Sequence, residues 1–221
     1  MLCDLIYSWF AASGGQVIDP FAGGSVRGIV AGRSGLKYWG SELRPDQAES
    51  NLQQVELIKK KHPGTLIGIP EWIVGDSLEE LDGAPDADFI FSCPPYGDLE
   101  KYGDDPRNLS NTNTTDFLVA YRAIVSKAVA KLRDDSFACF VVGDYRDKEG
   151  YLSNFVWETI HAFKLAGARL YNHAILRTQI GSAAIRAGGT FSAYRKLIAV
   201  HQNVLIFCKS DAKKAADKNK G

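Results

Sequence analysis

Two short runs of residues in this chain have the types and spacing to do chemistry. The first is Ser92-Cys93-Pro94-Pro95-Tyr96, directly after the apolar Asp88-Phe89-Ile90-Phe91. That stretch reads as a buried parallel strand, and two prolines cannot continue a sheet ladder, so the chain leaves the sheet there. In open α/β sheets ligands bind beyond the carboxyl ends of the strands. A hydroxyl, a thiol, two rigid carbonyls and an aromatic ring therefore project into a cleft. The second run is Asp19-Pro20-Phe21-Ala22-Gly23-Gly24-Ser25, between a short strand at 16–21 and a helix at 26–33. Its glycines let the backbone come close to a ligand, since no Cβ intervenes. The bland alternatives are a proline-rich exit from a strand and an ordinary tight turn.

The ligand is narrowed by what surrounds the glycine turn. No lysine follows, as a phosphate loop requires, and the G-x-G-x-x-G dinucleotide fingerprint is absent. Glu42 ends the second strand, suited to a ribose diol, and Asp76 ends the third, where a carboxylate accepts from an adenine amino group. Together these favour a nucleoside without a pyrophosphate, such as S-adenosylmethionine, with Asp19, Phe21, Ala22, Gly23, Glu42 and Asp76 as its binding residues. Against this, Glu42 also reads as a solvated strand end and Asp76 as a helix cap.

The elements that must position these runs alternate. Strands are expected over 16–21, 36–43, 71–76, 88–92, 136–144, 169–177 and 201–208. Helices are expected over 1–10, 26–33, 45–61, 116–132 and 151–166. Pro45 suits the first position of its helix. The alternation argues for an α/β fold with one doubly wound, mostly parallel sheet, whose last two strands form an antiparallel edge hairpin joined without a clear helix. One domain is expected over 1–209, with a flexible tail over 210–221. The polar segment 97–115 is expected to be a loop that closes over a substrate.

Composition sets the outer limits. The 221 residues are 45% hydrophobic and 24% charged, those of an ordinary globule with a sizeable core. The formal net charge of +0 gives no global pull toward polyanions, so any such partner must meet a local basic patch. Cys3, Cys93, Cys139 and Cys208 form no C-x-x-C pair, so neither a zinc site nor a disulfide framework is expected, and a reducing cytoplasm fits. No apolar run is long enough to span a membrane.

Taken together, the two motifs resemble those of the DNA amino-methyltransferases that modify adenine N6 or cytosine N4. In that family the glycine motif reads D-P-F-x-G-x-G and the catalytic motif [DNS]-P-P-[YFW]. The likeness covers about residues 5–209. Val142-Gly143-Asp144-Tyr145-Arg146-Asp147, and Arg195-Lys196-Leu197 followed by His201-Gln202-Asn203-Val204, are similar to the compact methylases of phages and prophages. The resemblance implies the Rossmann-like, seven-stranded sheet of class I methyltransferases, S-adenosylmethionine as cofactor, no metal, and a cytoplasmic enzyme of a bacterial or phage-infected cell. By the same analogy the Pro94 carbonyl accepts one N–H of the target amine and Tyr96 stacks on the flipped base. Two departures stand out. Ser25 replaces the last glycine, and Cys93 stands where the family has Asp, Asn or Ser. Either Ser92 takes over as acceptor or Pro94 carries more of that work. Cys93 as a covalent nucleophile is a remoter route.

Contact with DNA must come from loops. Arg177, Arg186, Arg195 and Lys196 lie in a stretch without an acid, which suits phosphates. The segment 177–200 is thus a candidate DNA-contacting insertion, or else a solvated loop with scattered cations. The alternatives for the whole chain are the same chemistry on RNA or on a protein glutamine, and a silent domain that binds cofactor or DNA.

Overall fold

The structure is a computed structural model, which describes residues 2–96, 107–109, 113–177, 181 and 183–219. The expected loop cover over 97–115 lies largely outside these residues. The strands are β1 (Gln16–Asp19), β2 (Lys37–Glu42), β3 (Glu71–Val74), β4 (Ala87–Ser92), β5 (Leu132–Val142), β6 (Ala168–Arg177) and β7 (His201–Lys209). They form one seven-stranded sheet in the order β3-β2-β1-β4-β5-β7-β6. β3, β2, β1, β4 and β5 run parallel, and β7 is antiparallel to both β5 and β6. This is the doubly wound sheet with an antiparallel last hairpin that the sequence predicts.

The helices cover both faces because the strands are apolar on both faces. α1 (Leu2–Phe10), α2 (Val26–Arg33), α3 (Pro45–Lys61) and α8 (Ala212–Lys218) pack with Val17, Phe89, Phe91 and Cys139. α4 (Ser77–Glu80), α5 (Thr114–Lys131) and α6 (Phe155–Leu165) pack with Ile18, Ile90, Ala138 and Phe207 on the other face. Neighbouring residues of β4 therefore belong to different cores, as a central parallel strand requires. Phe89, Ile90 and Phe91 are all buried, and each such side chain contributes on the order of 1.5–3 kcal/mol.

Two expectations are corrected. Residues 210–221 were expected to be a flexible tail, yet Asp211 caps α8 by accepting from the backbone N–H groups of Lys213 and Lys214 at 2.9 and 3.1 Å. Ala212, Ala215 and Ala216 then meet the sheet, with Ala215 fully buried. Small residues three and four apart let a helix lie close to a sheet, which a reading of the run as merely charged overlooks. The 177–200 insertion, expected to lack a clear helix, contains α7 (Ala183–Tyr194). Its run of Ala and Arg favours helix strongly enough to carry Gly188-Gly189. Boundaries also move: β3 stops at Val74 and α6 starts at Phe155 rather than 151.

Lys209 ties the two halves of the sheet together. Its ammonium donates to the carbonyls of Val129 and Leu132 at 3.0 and 2.5 Å, at the junction of α5 and β5, where the Val129 carbonyl also accepts from the Leu132 N–H. Lys209→Met is expected to lower stability by about 1–2 kcal/mol, read as a lower urea midpoint with an unchanged slope.

Candidate active site

The site lies where β1, β2, β3 and β4 end. Asp19, the last residue of β1, is completely buried. Its carboxylate accepts from the Arg27 Nε at 2.5 Å, the Tyr38 hydroxyl at 2.7 Å, the Ser92 hydroxyl at 2.6 Å and the Phe21 backbone N–H at 3.2 Å. Arg27 also donates to the carbonyls of Phe21 and Ala22 at 2.7 and 2.8 Å. One buried ion pair thus holds the turn between β1 and α2 by both its carboxyl and its carbonyl sides. Gly23 sits at φ +53°, where an L side chain is strained, and its carbonyl accepts from Asn51 of α3 at 2.8 Å. A Cβ at Gly23 or Gly24 would meet nothing within 4 Å, so the turn borders open space.

That space is a cleft of about 330 Å³. Phe21, Gly23, Glu42, Leu43, Asp76, Cys93 and Pro95 line it, with Arg27 and Asn108. Glu42 accepts from the Arg44 backbone N–H at 2.9 Å, and burial raises its carboxyl above the usual carboxylate range against that bond. Asp76 caps α4 by accepting from Leu78 N–H at 2.9 Å while also lining the cleft. The cap reading of Asp76 and its place in the cleft wall are therefore compatible.

The segment after β4 divides. Cys93 and Pro95 reach the cleft. Ser92 and Pro94 do not: both are buried and neither lines it, and the Ser92 hydroxyl is spent on Asp19, so Cys93 and not Ser92 faces the cleft. Asp19 and Ala22 likewise support the cleft without lining it. Burial pushes the Cys93 thiol up, with the neighbouring Arg27 guanidinium opposing, so the sulfur is held as a thiol. Tyr96 stands beside the cleft. Its hydroxyl accepts from Gln202 Nε2 of β7 at 2.6 Å, and its ring lies 6.4 Å from Tyr145 and 6.1 Å, edge-on, from Phe155.

The cations expected on DNA sit at the same edge. β6 runs parallel to β4, because β7 reverses between them, so Arg177 at the end of β6 lies on the edge where β4 stops. Arg177, Arg186 and Arg195 are exposed and Lys196 is half-buried; none lines the cleft. Sequence reasoning missed Arg27, Tyr38 and Gln202. Arg27 carried a faint signal as a lone cation in the first turns of the helix after a glycine turn. Tyr38 carried none, and Gln202 stood within the His201–Val204 run that resembles the phage methylases, without a role of its own. Among the described residues no group of three metal-ligating side chains occurs, and no helix is long and apolar enough to cross a membrane.

No family model and no curated protein matches the chain. Solved structures do. A SAM-dependent methyltransferase from Methanosarcina mazei is 9% identical with a TM-score of 0.59, over 93% of this chain and 97% of that one. Magnesium protoporphyrin IX methyltransferase (ChlM) from Synechocystis PCC 6803, solved with bound SAM, is 10% identical with a TM-score of 0.58, over 95% of this chain and 78% of that one. TrmN from Thermus thermophilus is 14% identical with a TM-score of 0.58 over 94% of this chain, which spans about half (48%) of the Thermus protein. The strand order, the reversed β7 and these neighbours agree: the chain has the Rossmann-like fold of the class I methyltransferases.

Proposed function

We propose that the chain transfers a methyl group from S-adenosylmethionine to an exocyclic amine of a flipped DNA base, adenine N6 or cytosine N4. The observation that carries this reading is the Ser92–Asp19 hydrogen bond, which joins the two motifs of the amino-methyltransferases across 73 residues at one cleft. The residues fit the cofactor. Glu42 offers a carboxylate to a ribose diol, Asp76 one to an adenine amino group, and Phe21 and Leu43 an apolar wall, beside glycines that leave room for the methionine part. When bound, the sulfonium supplies an electrophilic methyl group.

The chain's own residues prepare the nucleophile. An exocyclic amine is weakly nucleophilic because its lone pair is delocalised into the ring. The Pro94 carbonyl accepts one N–H and favours a pyramidal nitrogen, which frees that lone pair. Tyr96 holds the base by stacking, with Gln202 fixing its hydroxyl. The nitrogen would gain the methyl as the methyl–sulfur bond breaks and the sulfonium leaves as a neutral thioether, and it would then lose one proton to water. Cys93 takes no covalent part in this scheme, since a thiol raised by burial is a poor nucleophile.

Labelled methyl transfer to unmodified bacterial and phage DNA, followed by nucleoside mass spectrometry, tests the reading. Label in N6-methyladenine or N4-methylcytosine is the expected result. Label in C5-methylcytosine would sink the amine mechanism and return Cys93 as nucleophile. Label only on RNA or protein would move the chemistry to another substrate. A second expectation concerns Glu42. Ribose hydroxyls donate to its ionised form, so acidification through its raised titration weakens cofactor binding, beginning above the ordinary glutamate range. Glu42→Gln is expected to weaken binding by about tenfold near neutrality and to remove that pH dependence, both measurable by calorimetry.

A further inference from the structure

We propose that the β6–α7–β7 insertion docks an unpaired DNA strand, with phosphates on its arginines and bases on its exposed rings; this rests on the reading that the substrate is DNA. The first support is charge segregation. The chain is neutral overall, yet no Asp or Glu occurs between Thr159 and Ser210. Arg27, Arg33, Arg44, Arg122 and Arg133 each pair with a carboxylate, whereas Arg177 and Arg186 pair with none among the described residues. Guanidinium groups left without internal partners at the edge where the cleft opens present a positive surface to a polyanion.

The second support is the set of exposed apolar side chains on the same insertion. Among the described side chains α7 buries only Ala183, and Ile185, Tyr194 and Leu197 are 85%, 70% and 77% exposed. Phe191 is 44% exposed. The rings are backed by charge: the Arg195 guanidinium lies 5.1 Å from the Phe191 centroid and the Lys196 ammonium 5.2 Å from that of Tyr194. Arg195 takes φ +55° to do this, ending α7 in a left-handed residue whose N–H donates to the Phe191 carbonyl at 2.8 Å. A duplex offers a docking surface phosphates and hides its base faces, so exposed rings would have nothing to stack on. An unpaired strand offers both, and rings set beside cations are how such strands are held.

Fluorescence anisotropy tests this without cofactor, using one labelled DNA strand of about 20 nucleotides, alone and annealed to its complement. The strand is expected to bind about tenfold tighter than the duplex, and Phe191→Ala with Tyr194→Ala to erase that preference. Arg177→Ser with Arg186→Ser is expected to weaken both forms and to flatten the salt dependence by about one unit of slope per lost contact. Duplex binding as tight as strand binding, or a preference that survives loss of both rings, overturns the proposal. So does a homodimer in sedimentation that the ring variant dissociates. Strand preference without any methyl transfer would refute the transfer reading and leave this surface standing. Transfer confined to duplex DNA would do the reverse.

Discussion

Tyr96→Ala is expected to lower methyl transfer to DNA by about 10²–10³-fold while leaving affinity for S-adenosylmethionine nearly unchanged. The expectation comes from where the ring stands. Phe21, Glu42 and Asp76 line the cleft, and Tyr96 lies outside that lining, among Tyr145, Phe155 and Gln202. A ring on the substrate side contributes by holding the base in line for attack, so its loss falls on turnover. Calorimetric binding beside single-turnover transfer separates the two. A collapse of cofactor affinity together with activity would put the ring on the cofactor instead. Tyr96→Phe keeps the ring and loses only the bond to Gln202, so it is expected to fall between wild type and alanine.

The second large effect is structural. Asp19→Ala is expected to cost about 3–5 kcal/mol of stability, because it leaves the Arg27 guanidinium buried without its counter-charge. The same change removes the acceptor of the Tyr38 and Ser92 hydroxyls. Asp19→Asn keeps the shape and part of the hydrogen bonding, so a smaller loss is expected. Urea unfolding measures both. A loss below about 1 kcal/mol for the alanine variant would mean that the pair does not hold the turn. The result also bears on function. Asp19 touches both motifs without lining the cleft, so any effect it has there runs through the residues it holds. Its variants should therefore impair both together, unlike Tyr96→Ala.

The local parts of this molecule are written in local chemistry. Asp88–Phe91 is a strand because its apolar run is short and ends at two prolines. Gly23 turns the chain because it tolerates φ +53°. Pro45 begins α3 because a first helical position needs no N–H. From such signals the doubly wound, mostly parallel sheet, the placement of both motifs at strand ends and the antiparallel last hairpin all follow. Periodicity also fails where a competing signal is stronger. Gly188-Gly189 obscured α7, and the lysines around Ala212, Ala215 and Ala216 hid a face of small residues that packs on the sheet.

What no local pattern carries is which polar groups meet. Ser92 and Asp19 are 73 residues apart, and Gln202 and Tyr96 are 106 apart. A buried hydroxyl must find an acceptor, but the sequence does not say which one. The tertiary structure therefore decided that Ser92 turns inward and Cys93 outward, that Asp19 serves Arg27 and Tyr38 rather than a ligand directly, and that Gln202 anchors the tyrosine. The motifs were legible because turns and strand ends of this kind need particular residue types at fixed spacing. Their supporting network was not, because hydrogen-bond satisfaction is a condition on the folded whole.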